Sequence, residues 1–243
     1  MYLHGSLATG GFDPDRSDVD FLVVTTGHLS AERLAALERL HRCIAAGELI
    51  WRTQYEGSFI PVAALRRHDP SDSVFPAVRV DSSFGLDYHG SDWVIQRHLI
   101  REKGICLAGP PATALIDPVS ADDLKRAVRG VLQEWWAPQL RDPVRLRRSE
   151  YQAYAVLTMC RALYTLELGH VASKPEAARW AKQGLGAQWE RLIDAALAWR
   201  RGREMDHLKQ TLALIEQVLQ HDHHGVQAGT RHKDGQEHLV HPL

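Results

Sequence analysis

The chain has 243 residues, enough for one large domain or two small ones. Its composition, 44% hydrophobic and 24% charged, is that of an ordinary globular protein, and a net charge of −1 argues against a general nucleic-acid-binding surface. Cys43, Cys106 and Cys160 are odd in number and far apart, which argues against a disulfide framework or a thiolate metal site. No apolar run approaches membrane-spanning length and no signal peptide is visible, so no membrane partner and a cytoplasmic location are expected.

Met1-Tyr2-Leu3-His4 reads as a short strand that stops at Gly5-Ser6. A linker with Gly10, Gly11 and Pro14 follows, and Asp18 to Val24 reads as a second strand. Residues two apart on a strand share a face, so Asp18 and Asp20 are expected to project together while Val19 and Phe21 turn inward. Two carboxylates fixed side by side repel each other unless a cation lies between them, and Mg²⁺ suits oxygen ligands of this kind. Gly5 allows close backbone approach, and Ser6 offers a hydroxyl and an N–H at the expected start of a helix, a site suited to phosphate.

Ser30 is placed to cap a helix to Ala46, with Gly47 as its stop and Leu34, Leu37, Leu40 and Ile44 on its buried face. Leu49 to Arg52 and Glu56 to Val62 read as extended, giving a small α/β unit. Residues 66–91, rich in Asp, Ser, Pro and Gly, read as an irregular excursion. A helix is expected from Asp92 to Lys103, then a short strand at Ile105–Ala108. From Ser120, which begins a variant capping box, every periodic segment is helical, with helices near 121–136, 148–168, 175–183, 187–199 and 205–221. The domain boundary is expected near Pro118. Residues 222–243 carry His223, His224, His232, His238 and His241 but few large apolar residues, and are expected to be a disordered tail. Metal binding by those histidines is the minor alternative.

A third carboxylate is needed beside the Asp pair. Glu56, opening the next apolar strand, is the best candidate; Glu48 is the alternative, and Glu38 sits on a helix face directed to water. In the helical half, Tyr151, Tyr154, Thr158, Arg161 and Thr165 fall on one helix face, and Met159, Leu163 and Leu166 on the other. Hydroxyls and one arginine suit a cleft better than a core. Lys174 precedes Pro175 and so lies at a helix start.

Gly5-Ser6, eleven residues, then Asp18-Val19-Asp20 resembles the signature of the polymerase-β-type nucleotidyltransferases. The stretch Leu157 to Tyr164, then Gly169 and Ser173 to Trp180, is similar to the second domain of the streptomycin/spectinomycin adenylyltransferases. The resemblance implies an α+β protein: a polymerase-β-like nucleotidyltransferase domain with a small mixed sheet and helices at 1–118, then an all-α helical bundle domain at 119–221 that closes the cleft. It implies Mg²⁺-dependent transfer of AMP from ATP to a hydroxyl of an aminoglycoside-like small molecule. Asp18, Asp20 and Glu56 would be catalytic and hold two Mg²⁺ ions, while Gly5, Ser6, Arg161 and Lys174 would bind ATP. No nucleic-acid partner is expected, and the protein is expected to be a monomer.

Three departures bear on that reading. Family members have a helical lead-in before the Gly-Ser strand, whereas this sequence begins inside it, so either the chain start is mis-assigned or that strand is weakly anchored. Where the streptomycin enzymes set an acidic residue and a histidine against the drug, this chain puts Tyr151 and Tyr154. Residues 69–90 carry no match. A polycationic acceptor would call for spare carboxylates, for which Asp81, Asp87 and Glu150 are candidates. The rival readings are an adenylyltransferase for another metabolite or for a protein, of the antitoxin type, and a nucleotide-binding regulator without catalysis.

Overall fold

A computed structural model describes residues 1–80 and 82–233, with side chains to residue 221. In chain order the first elements are β1 (Tyr2–Leu3), α1 (Gly5–Ala8), β2 (Val19–Thr25), α2 (Ala31–Ala46), β3 (Tyr55–Pro61) and α3 (Val62–Leu65). They are followed by β4 (Val74–Val78), β5 (Phe84–Tyr88), α4 (Asp92–Lys103), β6 (Ile105–Cys106) and α5 (Ala112–Leu115). The strands form one mixed sheet in the order β5-β4-β3-β2-β1-β6, in which only β2 and β3 run parallel.

Both sheet faces are covered. Leu22, Ile60, Phe75 and Tyr2 pack with Leu65, Ile100 and Ile116 on one side, while Phe21, Phe59 and Val78 pack beneath α2 on the other. β1 is firmly held despite its two residues: it pairs with β2 and β6, and the Tyr2 hydroxyl donates to the Pro110 carbonyl. The weakly anchored alternative for the first strand is therefore corrected.

Three local expectations are also corrected. α2 does begin after the Ser30 cap and stop at Gly47, but Leu40 is 51% exposed and the buried residue is His41. The surface it meets explains this: His41 stacks between Phe84 and Tyr55, at 5.5 and 5.7 Å, and its Nδ1 lies 3.0 Å from the Tyr55 hydroxyl. An imidazole satisfies that aromatic, hydroxyl-bearing floor as leucine would not. Leu49–Arg52 is a turn, not an extended segment. Residues 66–91 are not irregular but contain the β4–β5 hairpin. Pro76 and Gly85 mask its alternation. Pro76 is tolerated because β4 meets β3 only at Ala77 and Val78, so its missing N–H breaks no bond of that ladder.

The second half is helical: α6 (Ala121–Val131), a π turn (Leu132–Trp136), α7 (Ala137–Arg141), α8 (Ser149–Leu168), α9 (Lys174–Leu185), α10 (Glu190–Ala198) and α11 (Leu208–Lys233). The helix expected to end at 136 runs on to Arg141, the π turn absorbing Pro138 by loosening the hydrogen-bond register ahead of it. α8 is the axis of this half, with Val156, Met159, Cys160 and Leu163 packed against Trp136, Ala177, Ile193 and Leu214. α11 continues past residue 221, where the helical domain was expected to end. Residues 234–243 lie outside the described residues, as do the side chains of the histidine-rich segment. Among the described residues no helix is long and apolar enough to cross a membrane.

Candidate active site

The two halves face each other across a cleft of about 530 Å³, and Gly5, Ser6, Asp18, Asp20, Glu56, Arg161 and Lys174 all line it. The first five stand on the sheet side, the last two on the helical side.

Parallel pairing of β2 and β3 sets Asp20 opposite Glu56. The approach is close because Gly57 has no side chain: a Cβ there would lie 2.4 Å from the Phe21 carbonyl oxygen. Gly5 does the same for Asp20. Its φ is +60°, and a Cβ would lie 1.8 Å from Asp20 Oδ2, so only glycine lets the chain turn over this carboxylate.

The two carboxyl groups disfavour each other's ionisation. Although Glu56 is exposed along one side to the open cleft, it is pushed up to about 8, first by the desolvation of its carboxyl among protein atoms and then by the neighbouring Asp20 charge. Asp20 is also raised, chiefly by burial, with His4 pulling the other way. Ser6 Oγ is buried with no protein partner. Asp18 lies just before β2 and forms an ion pair with Arg201, Nη2 to Oδ1 at 3.1 Å. Among the described residues no three His, Cys, Asp or Glu side chains converge closely enough to grip a metal as they stand. The donor set nevertheless fits a hard cation: two carboxyl groups stand opposite each other where a metal charge would relieve their repulsion, and a third is already held by a positive group.

On the opposite wall, α8 and α9 present the cations. Lys174 is the first residue of α9, one position earlier than its Pro175 start signal suggests, and Ser173 caps the helix. Lys174 Nζ lies 5.5 Å from the Tyr154 ring centroid. Arg161 Nε is buried without a protein partner. Burial is the first cause lowering both cations' proton affinity, and Asp20 opposes it in each. Arg161 is half-buried and Lys174 is exposed to the cleft, so both charges are open to an anionic ligand. Tyr151 and Tyr154 line the same cleft, and the Thr165 hydroxyl instead donates to the His170 carbonyl.

Of the other candidates, Asp87 shares a smaller cavity with Asp20 and Glu56, Glu150 stands on the cleft rim, and Glu38 and Glu48 line neither cavity. Glu38 pairs with Arg42 in solvent, and Glu48 is exposed on the turn after α2. Asp87 pairs with Arg79 beside that smaller cavity, of about 210 Å³, Glu150 pairs with Arg148, and Asp81 lies outside the described residues. Sequence reasoning missed Arg16, Trp199 and Arg201, which also line the cleft. Arg16, two residues from Asp18, was within reach of a proximity argument; Arg201 belongs to no motif and is brought in only by the fold.

A mixed sheet that presents paired carboxylates to a helical half bearing cations defines a nucleotidyltransferase. The family comparisons agree. Residues 1–67 match the nucleotidyltransferase domain, and residues 114–223 match the aminoglycoside adenylyltransferase C-terminal domain. The chain thus carries a nucleotidyltransferase domain followed by an aminoglycoside adenylyltransferase C-terminal domain. An aminoglycoside (3'') (9) adenylyltransferase of Escherichia coli is 27% identical, over 90% of this chain and 84% of the relative. A spectinomycin 9-adenylyltransferase of Staphylococcus aureus is 26% identical, over 83% and 77%. The fold is similar to that of spectinomycin adenyltransferase AAD(9) from Enterococcus faecialis, solved with ATP and spectinomycin: TM-score 0.70, 19% identity, 90% of each chain covered.

Proposed function

We propose that this enzyme transfers AMP from ATP to a hydroxyl of a spectinomycin-type aminocyclitol or a related aminoglycoside, releasing pyrophosphate. The observation that supports this most is the division of charge in the cleft, with Asp18, Asp20 and Glu56 on one wall and Arg161 and Lys174 on the other.

In this reading Asp18, Asp20 and Glu56 hold two Mg²⁺ ions, which when bound supply neutralisation of the triphosphate and acidify the acceptor hydroxyl. Ser6 Oγ and the Gly5 backbone orient the phosphates. Arg161 and Lys174 face the β- and γ-phosphates, where negative charge grows as pyrophosphate departs, so they stabilise the transition state more than the ground state. Glu56 accepts the hydroxyl proton as the acceptor oxygen bonds to the α-phosphorus and the bond from that phosphorus to the bridging oxygen breaks. The products are the adenylylated acceptor, pyrophosphate and one proton, which passes from Glu56 to solvent.

The acceptor wall argues for a weakly charged ligand. Tyr151, Tyr154 and Trp199 offer ring faces and hydroxyls, while Asp87 and Glu150 are each already paired with an arginine. A streptomycin-like polycation would find few free carboxylates there. Both cleft walls come from one chain, so we take the enzyme to act as a monomer, and its use of ATP fits a cytoplasmic location. Pyrophosphate release would be followed with Mg²⁺, ATP and a panel of aminoglycosides including spectinomycin. Release that needs a drug and disappears in Asp20→Ala supports this reading; ATP binding without drug-dependent release moves the acceptor to another chemical class.

A further inference from the structure

Arg201 comes from the segment between α10 and α11, at the far end of the sequence from β2. Its backbone N–H donates to the Asp15 carbonyl at 3.2 Å, and its guanidinium pairs with Asp18. Neighbouring contacts tie the same two segments together: Arg16 Nη1 donates to the Leu197 carbonyl at 2.6 Å, and Arg200 pairs with Asp13 at 3.5 Å. Gly202, at φ +81°, turns the chain directly after Arg201. The helical half thus reaches across and places a positive charge on one carboxylate of the sheet half.

We propose that Arg201 is a positioning residue that holds the place of the metal on Asp18 and exchanges it for the nucleotide. The inference rests on the reading of Asp18, Asp20 and Glu56 as metal ligands. A guanidinium and a metal ion cannot both occupy the same carboxylate oxygen at full strength, so in the ligand-free enzyme the ion competes with Arg201 for Asp18. When a metal-bound triphosphate enters, Asp18 turns to the metal. Arg201 is then a free cation at the edge of a cleft filled with phosphate oxygens, beside Arg16, Lys174 and Ser6. Its guanidinium finds a new anionic partner within reach. The exchange keeps Asp18 from being left unpaired when the cleft is empty, and couples nucleotide arrival to the contact between the two halves.

The test is direct titration, without turnover, of wild type, Arg201→Gln and Arg201→Lys. Mn²⁺ alone is followed by electron paramagnetic resonance, and a non-hydrolysable ATP analogue with Mg²⁺ is followed by calorimetry. The account predicts that Arg201→Gln binds Mn²⁺ alone about fivefold more tightly, the scale of a partly exposed ion pair removed as competitor, and binds the analogue more weakly. Arg201→Lys, which keeps the charge, should stay close to wild type for Mn²⁺. Mn²⁺ affinity unchanged or weakened in Arg201→Gln overturns the proposal and leaves the pair as a strap between the halves. Unchanged affinity for the analogue overturns the exchange. Asp20→Asn separates this from failure of the underlying reading: Mn²⁺ binding that survives that substitution places the ion elsewhere, whatever Arg201 does.

Discussion

Asp20 and Glu56 stand opposite each other on neighbouring parallel strands, and Glu56 is pushed up to about 8 by the desolvation of its carboxyl and by the Asp20 charge. In the unfolded chain Glu56 ionises near 4.5, so between those values the folded state retains a proton that the unfolded state has lost. Stability therefore falls as pH rises through this window. Removing the carboxyl removes the penalty. Metal-free Glu56→Gln should melt above wild type, by about 2–4 °C at pH 8 for an effect of about 1 kcal/mol, a value already discounted for the open side of the cleft. The gap should close toward pH 5, as scanning calorimetry at several pH values would show. Activity should move the opposite way, with kcat lower by about 10²–10⁴-fold, the range for loss of a general base.

Gly5 provides a sharper geometric test. Gly5→Ala places a Cβ against Asp20 Oδ2 and forces an L-residue to φ +60°. Left-handed backbone costs about 1–2 kcal/mol on its own. The displaced carboxylate should cost far more in kcat than the fold loses in melting temperature. A variant with near-normal activity would show that Asp20 does not need its observed position.

The cations on the helical wall should act on the nucleotide and not on the fold. Arg161→Ala and Lys174→Ala should each raise KM for ATP and lower kcat, for a combined loss in kcat/KM of about 10²-fold, the scale of a charge-assisted bond lost from a desolvated site. Lys174→Ala also removes the contact over Tyr154, so its acceptor KM should rise more than that of Arg161→Ala. Steady-state kinetics with both substrates varied would separate these effects.

His89 gives the protein an acid-sensitive point on the smaller cavity that Asp20 and Glu56 also line. It is 1% exposed, stacked on Trp93 with ring centroids 3.6 Å apart, and within 3.0 Å of the Ser58 hydroxyl. Burial, followed by the Arg97 charge, pushes it down to about 3 from 6.5. The unfolded chain takes up a proton below 6.5 that the folded chain refuses until about 3, so stability is lost as pH falls through that window. The slope approaches about 1.4 kcal/mol per pH unit for this one group. Urea unfolding at pH 7, 6, 5 and 4 should show wild type losing more stability than His89→Gln over the same range.

The parts of the site that were legible in the sequence are those set by local periodicity. Asp18 just before β2, Asp20 on it, Glu56 on the next strand, Arg161 on one face of α8 and Lys174 at the start of α9 were all approached from strand alternation, helix spacing or a cap signal. The β4–β5 hairpin was not legible because Pro76 and Gly85 interrupt strands only five residues long. The burial of His41 in place of Leu40 was not legible because the aromatic floor it fills is assembled from β2, β3 and β5. Arg201 is beyond any local rule: it meets Asp18 across 183 residues of sequence, through the packing of the two halves.

The central claim is that the cleft carries out adenylyl transfer to a drug hydroxyl. The most direct measurement incubates the protein with Mg²⁺, ATP and spectinomycin, and compares the drug's mass spectrum with the pyrophosphate released. The account predicts a spectinomycin adduct heavier by one adenylyl group, one pyrophosphate per adduct, and loss of both in Asp20→Ala. Nucleotide breakdown with unmodified drug, or an adduct that forms equally well in Asp20→Ala, would contradict it.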